Sequence, residues 1–484
     1  MAKSIKKNIL INMMRIILQF IFPIISFPYA SRVLTPEGIG KINFTNSIVS
    51  YFLLIAMFGV TNYGIRVAAQ KRDNKYELSK FVYEILIVNT ISTLIAYISF
   101  FVFIFSVESL QAYRVLLLIN SFSIFCNIIG IEWFYVAEEN YLYITIRSFI
   151  IQTISLILMF CFVKTKDDYI IYAIITLFGT AGSYFFNFIH ARKYLCRVKI
   201  RELNIVPHLK PLIIFFLNTI TCNIYLMIDT TMLGFMRGDR EVGLYTAAVK
   251  ITRMVVSLVQ GIGVVIVPRL SYYYSNDREK YSALLKKSFH AISLLAFPCC
   301  VGLFCLSKDI LVLFSGTKYI EAFRAMRVLT LLIPIIGFSN IYGNQILIVI
   351  GKEKYCLYIS ICAALANLIC NFITIPSLSY EGAAIASVFS EMIATVGTFI
   401  FAHKKVHFKE GVSNILRNIL ASMVIIPLSI LFHSLFNIDV LVIICVIISS
   451  VISYYILLYV MKDDFLREQT RIFLSKFKRN IRSE

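Results

Sequence analysis

Long apolar segments recur along almost the whole chain, and they constrain its fold more than any other feature. An α-helix needs about 20 apolar residues to cross a bilayer, and windows of that length give fourteen candidate membrane spans. Hydrophobic residues make up 59% of the 484 residues, more than a soluble domain carries. We therefore predict an all-α integral membrane protein and exclude a soluble enzyme, a disordered chain and a secreted disulfide scaffold. The approximate limits of the spans are 8–33, 42–65, 81–106, 112–136, 142–163, 169–190, 211–233, 243–267, 288–314, 325–350, 355–375, 381–402, 413–434 and 438–461.

Basic residues lie mostly in the short loops between these spans. With the N-terminus placed in the cytoplasm, cytoplasmic segments hold 32 Lys and Arg residues and the opposite loops hold 11. This asymmetry follows the positive-inside rule, so we expect both termini in the cytoplasm. The net charge of +20 is spread over loops instead of forming one basic face, and we predict no nucleic-acid partner. The 11 cysteines lack metal-binding spacing, and we predict no metal and no cofactor.

Four short matches in the same order indicate an internal repeat. Residues 40–66 match residues 243–269 at an offset of 203, and both stretches begin with Gly and end with Arg. Three further matches, at offsets of 211 to 213, pair Arg114 with Arg327, Asn127 with Asn340, and Ala173 with Ala384. We predict two pseudo-symmetric six-helix lobes with the substrate site between them. The predicted parts are an N-lobe at 1–193, a cytoplasmic linker at 194–210, a C-lobe at 211–405, spans 13 and 14 at 406–461, and a basic cytoplasmic tail at 462–484.

Polar side chains at helical spacing mark the spans that are expected to line a cavity. An ionisable group at the centre of a span costs about 2.5–3.5 kcal/mol on insertion scales, so such groups usually face the bundle interior. The eighth span has five polar residues on one face, at steps of three and four: Thr246, Lys250, Arg253, Ser257 and Gln260. Spans 1, 2 and 7 contribute Asn12, Arg15, Gln19, Asn43 and Asp229.

These stripes carry more positive than negative charge. A guanidinium binds phosphate oxygens bidentately and stays charged when it is desolvated, so two arginines at different depths suit a phosphate-bearing substrate. The predicted substrate-binding residues are Arg15, Arg253, Lys250, Asp229, Asn12, Gln19, Asn43, Ser257 and Gln260, with Arg66, Arg269 and Glu391 as gating or coupling candidates.

Structural interpretations of the same residues remain open. Arg15 can snorkel to the cytoplasmic surface, and Arg253 can pair with Glu391 or Asp229. Asp229 and Lys250 lie at similar depths, which favours a structural ion pair between them. The remaining residues have their own alternatives: Arg66 and Arg269 can be positive-inside anchors, Glu391 can be a buried acid or a proton-coupling group, and Glu84 and Glu132 are expected near the membrane interface.

Local sequence patterns resemble a known superfamily. The stretch Leu233-Gly-Phe-Met-Arg-Gly-Asp-Arg-Glu-Val-Gly-Leu-Tyr, the segment Pro268-Arg-Leu, and residues 367–376 followed by 381–387 resemble the polysaccharide-transporter branch of the MOP (MATE-like) exporters. Within it the similarity is closest to Wzx-type flippases. The resemblance implies two six-helix lobes plus two C-terminal helices, a cavity lined by spans 1, 2, 7 and 8, and a groove for a lipid tail on spans 13 and 14.

The resemblance also implies a function. Such proteins move an undecaprenyl-pyrophosphate-linked oligosaccharide, the repeat unit of O-antigen or capsule, from the inner to the outer leaflet of the bacterial inner membrane. We expect alternating access, no enzymatic activity, and four kinds of partner: the lipid-linked oligosaccharide, membrane lipids, a polysaccharide polymerase with other assembly proteins, and a coupling ion, either proton or sodium. The alternatives are a MATE-type drug/cation antiporter, which should have an acid where this chain has Arg15, a lipid II flippase, and a membrane-embedded polysaccharide enzyme.

Overall fold

The computed structural model describes residues 5–406, 412–436, 438–463 and 466–467, and the regular elements of these ranges are all helical. The all-α prediction is therefore confirmed. Most contacts between residues fall within one of two compact units, the first ending at Thr246 and the second beginning at Ala247. The sequence-based partition into lobes, linker, C-terminal spans and tail stays a prediction.

The first unit is built around α1 (Ile5–Met57), which is bent at Thr35. It packs against α3 (Lys75–Ser106), α4 (Arg114–Gly130), α6 (Tyr141–Phe162) and α8 (Val206–Met236). Near α2 and α5, an apolar cluster encloses Phe81, Trp133 and Phe134. Short 3-10 turns occur at Glu108–Tyr113 and Ile200–Glu202. The helices are α1 Ile5–Met57, α2 Val60–Lys71, α3 Lys75–Ser106, α4 Arg114–Gly130, α5 Glu132–Ala137, α6 Tyr141–Phe162, α7 Tyr169–Ala191, α8 Val206–Met236 and the beginning of α9 Asp239–Asn276.

The second unit contains the rest of α9 and the remaining helices. Here α10 packs against α13, and α14 packs against both α12 and α13. The C-terminal helices α15 to α17 pack on α10 and α11. The helices are α10 Arg278–Cys305, α11 Ser307–Ser315, α12 Phe323–Leu329, α13 Leu332–Asn340, a π-helical stretch at Ile341–Ile348, α14 Glu353–His403, α15 Val412–Ser422, α16 Ile425–Leu435 and α17 Asp439–Val460.

The predicted number of fourteen spans is not confirmed. By length and apolarity, 10 helices of the described chain can cross a membrane, or 11 if a bent pair counts as one span. Two of them, α1 and α14, each cover two predicted spans that are joined at a kink. Each contains one non-helical residue, Thr35 with φ 64° and Ser379 with φ 53°. The α8 segment is counted only as a shorter apolar helix, Val206–Leu217.

Side-chain caps explain where several helices begin. The Asn74 side chain accepts hydrogen bonds from the backbone N–H groups of Tyr76 and Glu77 at the start of α3. Asp277 accepts from the Lys280 N–H at the start of α10. Both satisfy donors that a helix N-terminus leaves unpaired. In the loop before α7, backbone N–H groups of Lys164 and Thr165 donate to Asp168, which lowers the pKa of that carboxyl.

Candidate functional site

Two arginines share one carboxylate in the first unit. Nη1 of Arg15, on α1, donates to Oε1 of Glu132 at 2.7 Å. The other carboxylate oxygen, Oε2, lies 3.7 Å from Nη2 of Arg147 on α6, which is too long for a hydrogen bond. These three residues, which we call the two-arginine cluster, carry one net positive charge.

Arg147 is the most enclosed member of this cluster. Its side chain is 6% exposed, against 20% for Arg15 and 36% for Glu132. Its Nε, Nη1 and Nη2 make no hydrogen bond within the described residues, and its guanidinium lies 5.8 Å from the Tyr143 ring centroid. An unsatisfied buried cation is costly, so this site favours the arrival of an anion.

The sequence places Arg147 within a span, but sequence reasoning assigned it no role and assigned Glu132 only to the membrane interface. A single arginine within an apolar span is itself a signal, because ionisable residues in spans usually serve function. The carboxylate that Arg147 shares with Arg15 could not be found this way, because the contacts of Glu132 depend on how α1, α5 and α6 pack.

The second unit pairs one arginine with one carboxylate. Nη2 of Arg253, on α9, lies 3.7 Å from Oε1 of Glu391 on α14. The Arg253 side chain is 35% exposed and that of Glu391 is 9% exposed. The pairing of Arg253 with Glu391 was one of the alternatives open from the sequence. The guanidinium is partly accessible, so its role in substrate binding stays a prediction.

Three other residues of the eighth-span stripe are partly buried along α9: Lys250, Ser257 and Gln260. The Ser257 hydroxyl donates to the Met254 carbonyl at 2.7 Å. In the first unit, Asp229 is buried and accepts a 2.7 Å hydrogen bond from the Tyr245 hydroxyl. The ion pair between Asp229 and Lys250 stays a prediction.

The remaining predicted residues are placed as follows. Asn43 is partly buried, and its amide donates to the Ile39 carbonyl of its own helix. Arg66 and Arg269 are exposed, which leaves both a gating and an anchoring role open. Asn12 and Gln19 belong to α1, but their side chains lie outside the described part of the structure.

Glu84, expected at the interface, is buried in a network of its own. Its Oε2 lies 2.9 Å from Nε2 of His208, whose Nδ1 lies 2.7 Å from the Tyr63 hydroxyl. Oε1 accepts from the Asn204 N–H at 2.8 Å. The network joins α2, α3 and α8 within the first unit.

The internal repeat has a counterpart in the backbone. A methyl group at Gly40 would overlap the carbonyl of Asp239, and one at Gly243 would overlap the carbonyl of Pro36. Pro36 and Asp239 are related by the same offset of 203 as Gly40 and Gly243. Gly40 therefore lies against Asp239, and its equivalent Gly243 lies against Pro36, which is the equivalent of Asp239. This reciprocal pattern is that of a twofold-related crossing.

The residues before this crossing are also equivalent. Thr35 has φ 64° and Gly238 has φ 101°, and they are separated by 203 residues. The chain therefore leaves helical geometry at the same point of each repeat. Glycine accepts positive φ readily, whereas threonine does not.

No group of three or more His, Cys, Asp or Glu side chains within the described residues could hold a metal ion. The charged groups of the two-arginine cluster and of the Arg253–Glu391 pair are instead suited to binding an anion by guanidinium donors.

Comparison with known sequences identifies related families. The polysaccharide biosynthesis protein family model matches residues 5–274, and the MatE family model matches residues 215–373. A relative from Escherichia coli K12, named for O-antigen transport, is 25% identical over 78% of this chain and 91% of its own length. A Shigella dysenteriae relative with the same name is 26% identical over 80% of this chain and 97% of its own length.

Comparison with solved structures supports the fold. The lipid II flippase MurJ, in an inward closed conformation, superposes with a TM-score of 0.75, and 94% of this chain and 100% of that chain are covered at 16% identity. An inward-facing multidrug resistance MATE transporter of the MOP superfamily gives a TM-score of 0.61 at 15% identity, covering 80% of this chain and 94% of that chain. The predicted MATE-like architecture is confirmed.

Proposed function

Because the chain belongs to the polysaccharide biosynthesis protein family, we propose that it is a flippase for lipid-linked oligosaccharides. It moves an undecaprenyl-pyrophosphate-linked repeat unit of O-antigen or capsule from the inner to the outer leaflet of the bacterial inner membrane. The relatives named for O-antigen transport support this substrate class. The lipid is moved without covalent change, so the protein is not an enzyme.

The observation that carries this proposal is the one net positive charge of the two-arginine cluster. In the two-arginine cluster, Arg15 and Arg147 share Glu132. A pyrophosphate needs charge-assisted donors that stay protonated away from water, and guanidinium provides them. Arg15 and Arg253 bind the pyrophosphate at successive depths, and the polar residues beside them contact the head group.

The positive-inside pattern supports a cytoplasmic location for both termini. The twofold-related crossing at Gly40 and Gly243 supports alternating access, because repeated halves allow equivalent inward and outward states. We include a coupling ion, proton or sodium, and assembly proteins such as a polysaccharide polymerase among the partners. Glu391 is the candidate proton-coupling group, since it is buried beside Arg253.

The charges separate this proposal from a drug/cation antiporter. An antiporter for cations should have unpaired acids on its membrane helices. Here the carboxylates of Glu132 and Glu391 each lie beside an arginine, and the two-arginine cluster has one cation in excess. The similarity to lipid II flippase and MATE structures concerns the fold, since identity is only 15–16%.

Reconstitution tests the proposal directly. Purified protein in liposomes should move a fluorescent undecaprenyl-pyrophosphate oligosaccharide between leaflets, as measured by its accessibility to a membrane-impermeant quencher. The recovered lipid should have unchanged mass. Leaflet exchange no faster than in empty liposomes would refute the proposal, and a changed lipid mass would indicate an enzyme.

A further inference from the structure

An apolar groove runs along α6 in the first unit and has Arg147 among its lining residues. Its volume is about 470 Å³. Four aliphatic residues of α6 line it, together with Phe186 of α7: Leu142, Ile146, Ile150 and Ile154. These four recur at steps of four, which places them on one helix face. The first three are about half exposed and Ile154 is somewhat less exposed.

The length of the groove suits one hydrocarbon chain within one leaflet. From residue 142 to residue 154, α6 rises about 18 Å at 1.5 Å per residue. The hydrocarbon core of a bilayer is about 30 Å thick, so the groove spans roughly one leaflet. By the positive-inside pattern, the end of α6 at Tyr141 lies on the cytoplasmic side, where a substrate made in the cytoplasm is loaded.

Arg147 gives this groove a specific chemistry. Its guanidinium is nine-tenths buried, makes no hydrogen bond within the described residues, and belongs to a cluster with one net positive charge. Its nitrogens are enclosed, so an anion reaches them only when neighbouring groove side chains such as Ile146 change rotamer. Exposed side chains do this within nanoseconds. An apolar groove with a cation among its lining residues complements a lipid that joins one hydrocarbon chain to a phosphate.

We propose that this groove holds the isoprenoid chain of the lipid substrate next to its phosphate, and that Arg147 binds that phosphate. The inference rests on the proposed function, which supplies a lipid with a single chain joined to pyrophosphate. It places a loading site on α6 and α7, away from the predicted tail groove on spans 13 and 14. Glu132 connects this loading site to Arg15, because its carboxylate contacts Arg15 and lies beside Arg147.

The chain contains a natural reporter for this site. Trp133 is its only tryptophan and directly follows Glu132 in α5. Full-length protein in nanodiscs of uncharged lipid should show a saturable change in Trp133 fluorescence on titration with farnesyl phosphate. Three comparison probes separate the possible sources of the signal: farnesol, which lacks the phosphate, inorganic phosphate, which lacks the chain, and phosphatidylglycerol, which has two chains.

Four variants test the two parts of the site. Arg147→Leu should weaken farnesyl phosphate binding about tenfold or more, because a hydrogen bond to a charged group is lost, whereas Arg147→Lys should retain part of the affinity. Ile150→Phe narrows the groove and should weaken binding. Ile157→Phe is the matched control, since Ile157 lies two turns further along the same face and does not line the groove. Thermal melting shows whether each variant is folded.

The outcomes are decisive for the site. Weaker binding in Arg147→Leu and Ile150→Phe, with normal binding in Ile157→Phe, supports it. Equal binding of farnesol, of inorganic phosphate or of phosphatidylglycerol overturns it, and so does unchanged affinity in folded Arg147→Leu. If farnesyl phosphate binds as expected but wild-type liposomes do not translocate the oligosaccharide lipid, the proposed function fails while the loading site stands.

Discussion

The two repeats have kept their backbone geometry but not their charges. Thr35 and Gly238 depart from helical geometry at equivalent positions, and Gly40 and Gly243 make reciprocal close contacts. In contrast, Arg253 on α9 corresponds, at the offset of 203, to Ser50 on α1. The backbone equivalence serves the crossing of the two segments, and it does not extend to the charged side chains.

The charged groups of the two units differ in balance as well as in position. In the first unit, Arg15 and Arg147 share Glu132. In the second unit, Arg253 and Glu391 lie 3.7 Å apart as one cation and one anion. The first arrangement can bind an anion without losing its internal pairing. In the function we propose, Arg253 binds substrate beside Glu391, through donors of its partly exposed guanidinium.

The largest expected effect concerns Arg253. Arg253→Ala should lower translocation in liposomes about ten- to hundredfold, because a charge-assisted hydrogen bond contributes about 1.5–3 kcal/mol. Arg253→Lys should retain more activity. Arg278→Ala is the control, since Arg278 stacks on Tyr274, 3.4 Å from the ring centroid, at the start of α10. Translocation at the wild-type rate by Arg253→Ala would show that Arg253 does not bind the substrate.

The next effect compares the two carboxylates. Glu132→Gln leaves two arginines without a counter-charge, whereas Glu391→Gln leaves one that is partly exposed. We expect a loss of about 2 kcal/mol for Glu132→Gln, below the 3–5 kcal/mol of fully buried pairs, and a smaller loss for Glu391→Gln. Thermal melting in detergent measures both. Adding Arg147→Leu to Glu132→Gln should restore stability, because one of the two arginines is removed. Equal losses of stability in Glu132→Gln and Glu391→Gln would show that the two-arginine cluster and the Arg253–Glu391 pair are equivalent.

A moderate effect is expected at the crossing. Gly40→Ala and Gly243→Ala each force a methyl group against a backbone carbonyl, and overpacking costs about 1–3 kcal/mol. The two variants should lower the melting temperature to a similar extent. Gly261→Ala is the control, because its methyl group would meet open space. A loss in only one of the two glycine variants would argue against a reciprocal crossing.

The smallest effect concerns the residues before the crossing. Gly238→Ala should destabilise the protein by about 1 kcal/mol, because φ 101° is unfavourable for a residue with a Cβ. Thr35→Gly should relieve strain of about the same size, less the contribution of the Thr35 hydroxyl bond to Glu37. Melting temperatures that move in opposite directions would support the equivalence, and a fall in Thr35→Gly larger than in Gly238→Ala would contradict it.

The sequence determines the fold class because the apolar runs are long and the polar residues recur at helical spacing. Helical geometry breaks at Thr35 and at Ser379, which lie between predicted spans 1 and 2 and between predicted spans 11 and 12. The same local signals located Arg15 and Arg253 and offered Glu391 as a partner. They did not reveal the contacts of Glu132 with Arg15 and Arg147 or the Glu84–His208 pair, because these contacts depend on helix packing.

We propose that arginine side chains on the membrane helices recognise the phosphate of the lipid substrate. The most direct test measures translocation in liposomes of two substrates with the same oligosaccharide and polyprenyl chain, one joined by pyrophosphate and one by an uncharged ether. We predict at least a tenfold preference for the pyrophosphate lipid, and a reduced preference in Arg15→Leu and Arg253→Ala. Equal translocation of the two lipids by the wild-type protein would contradict the account.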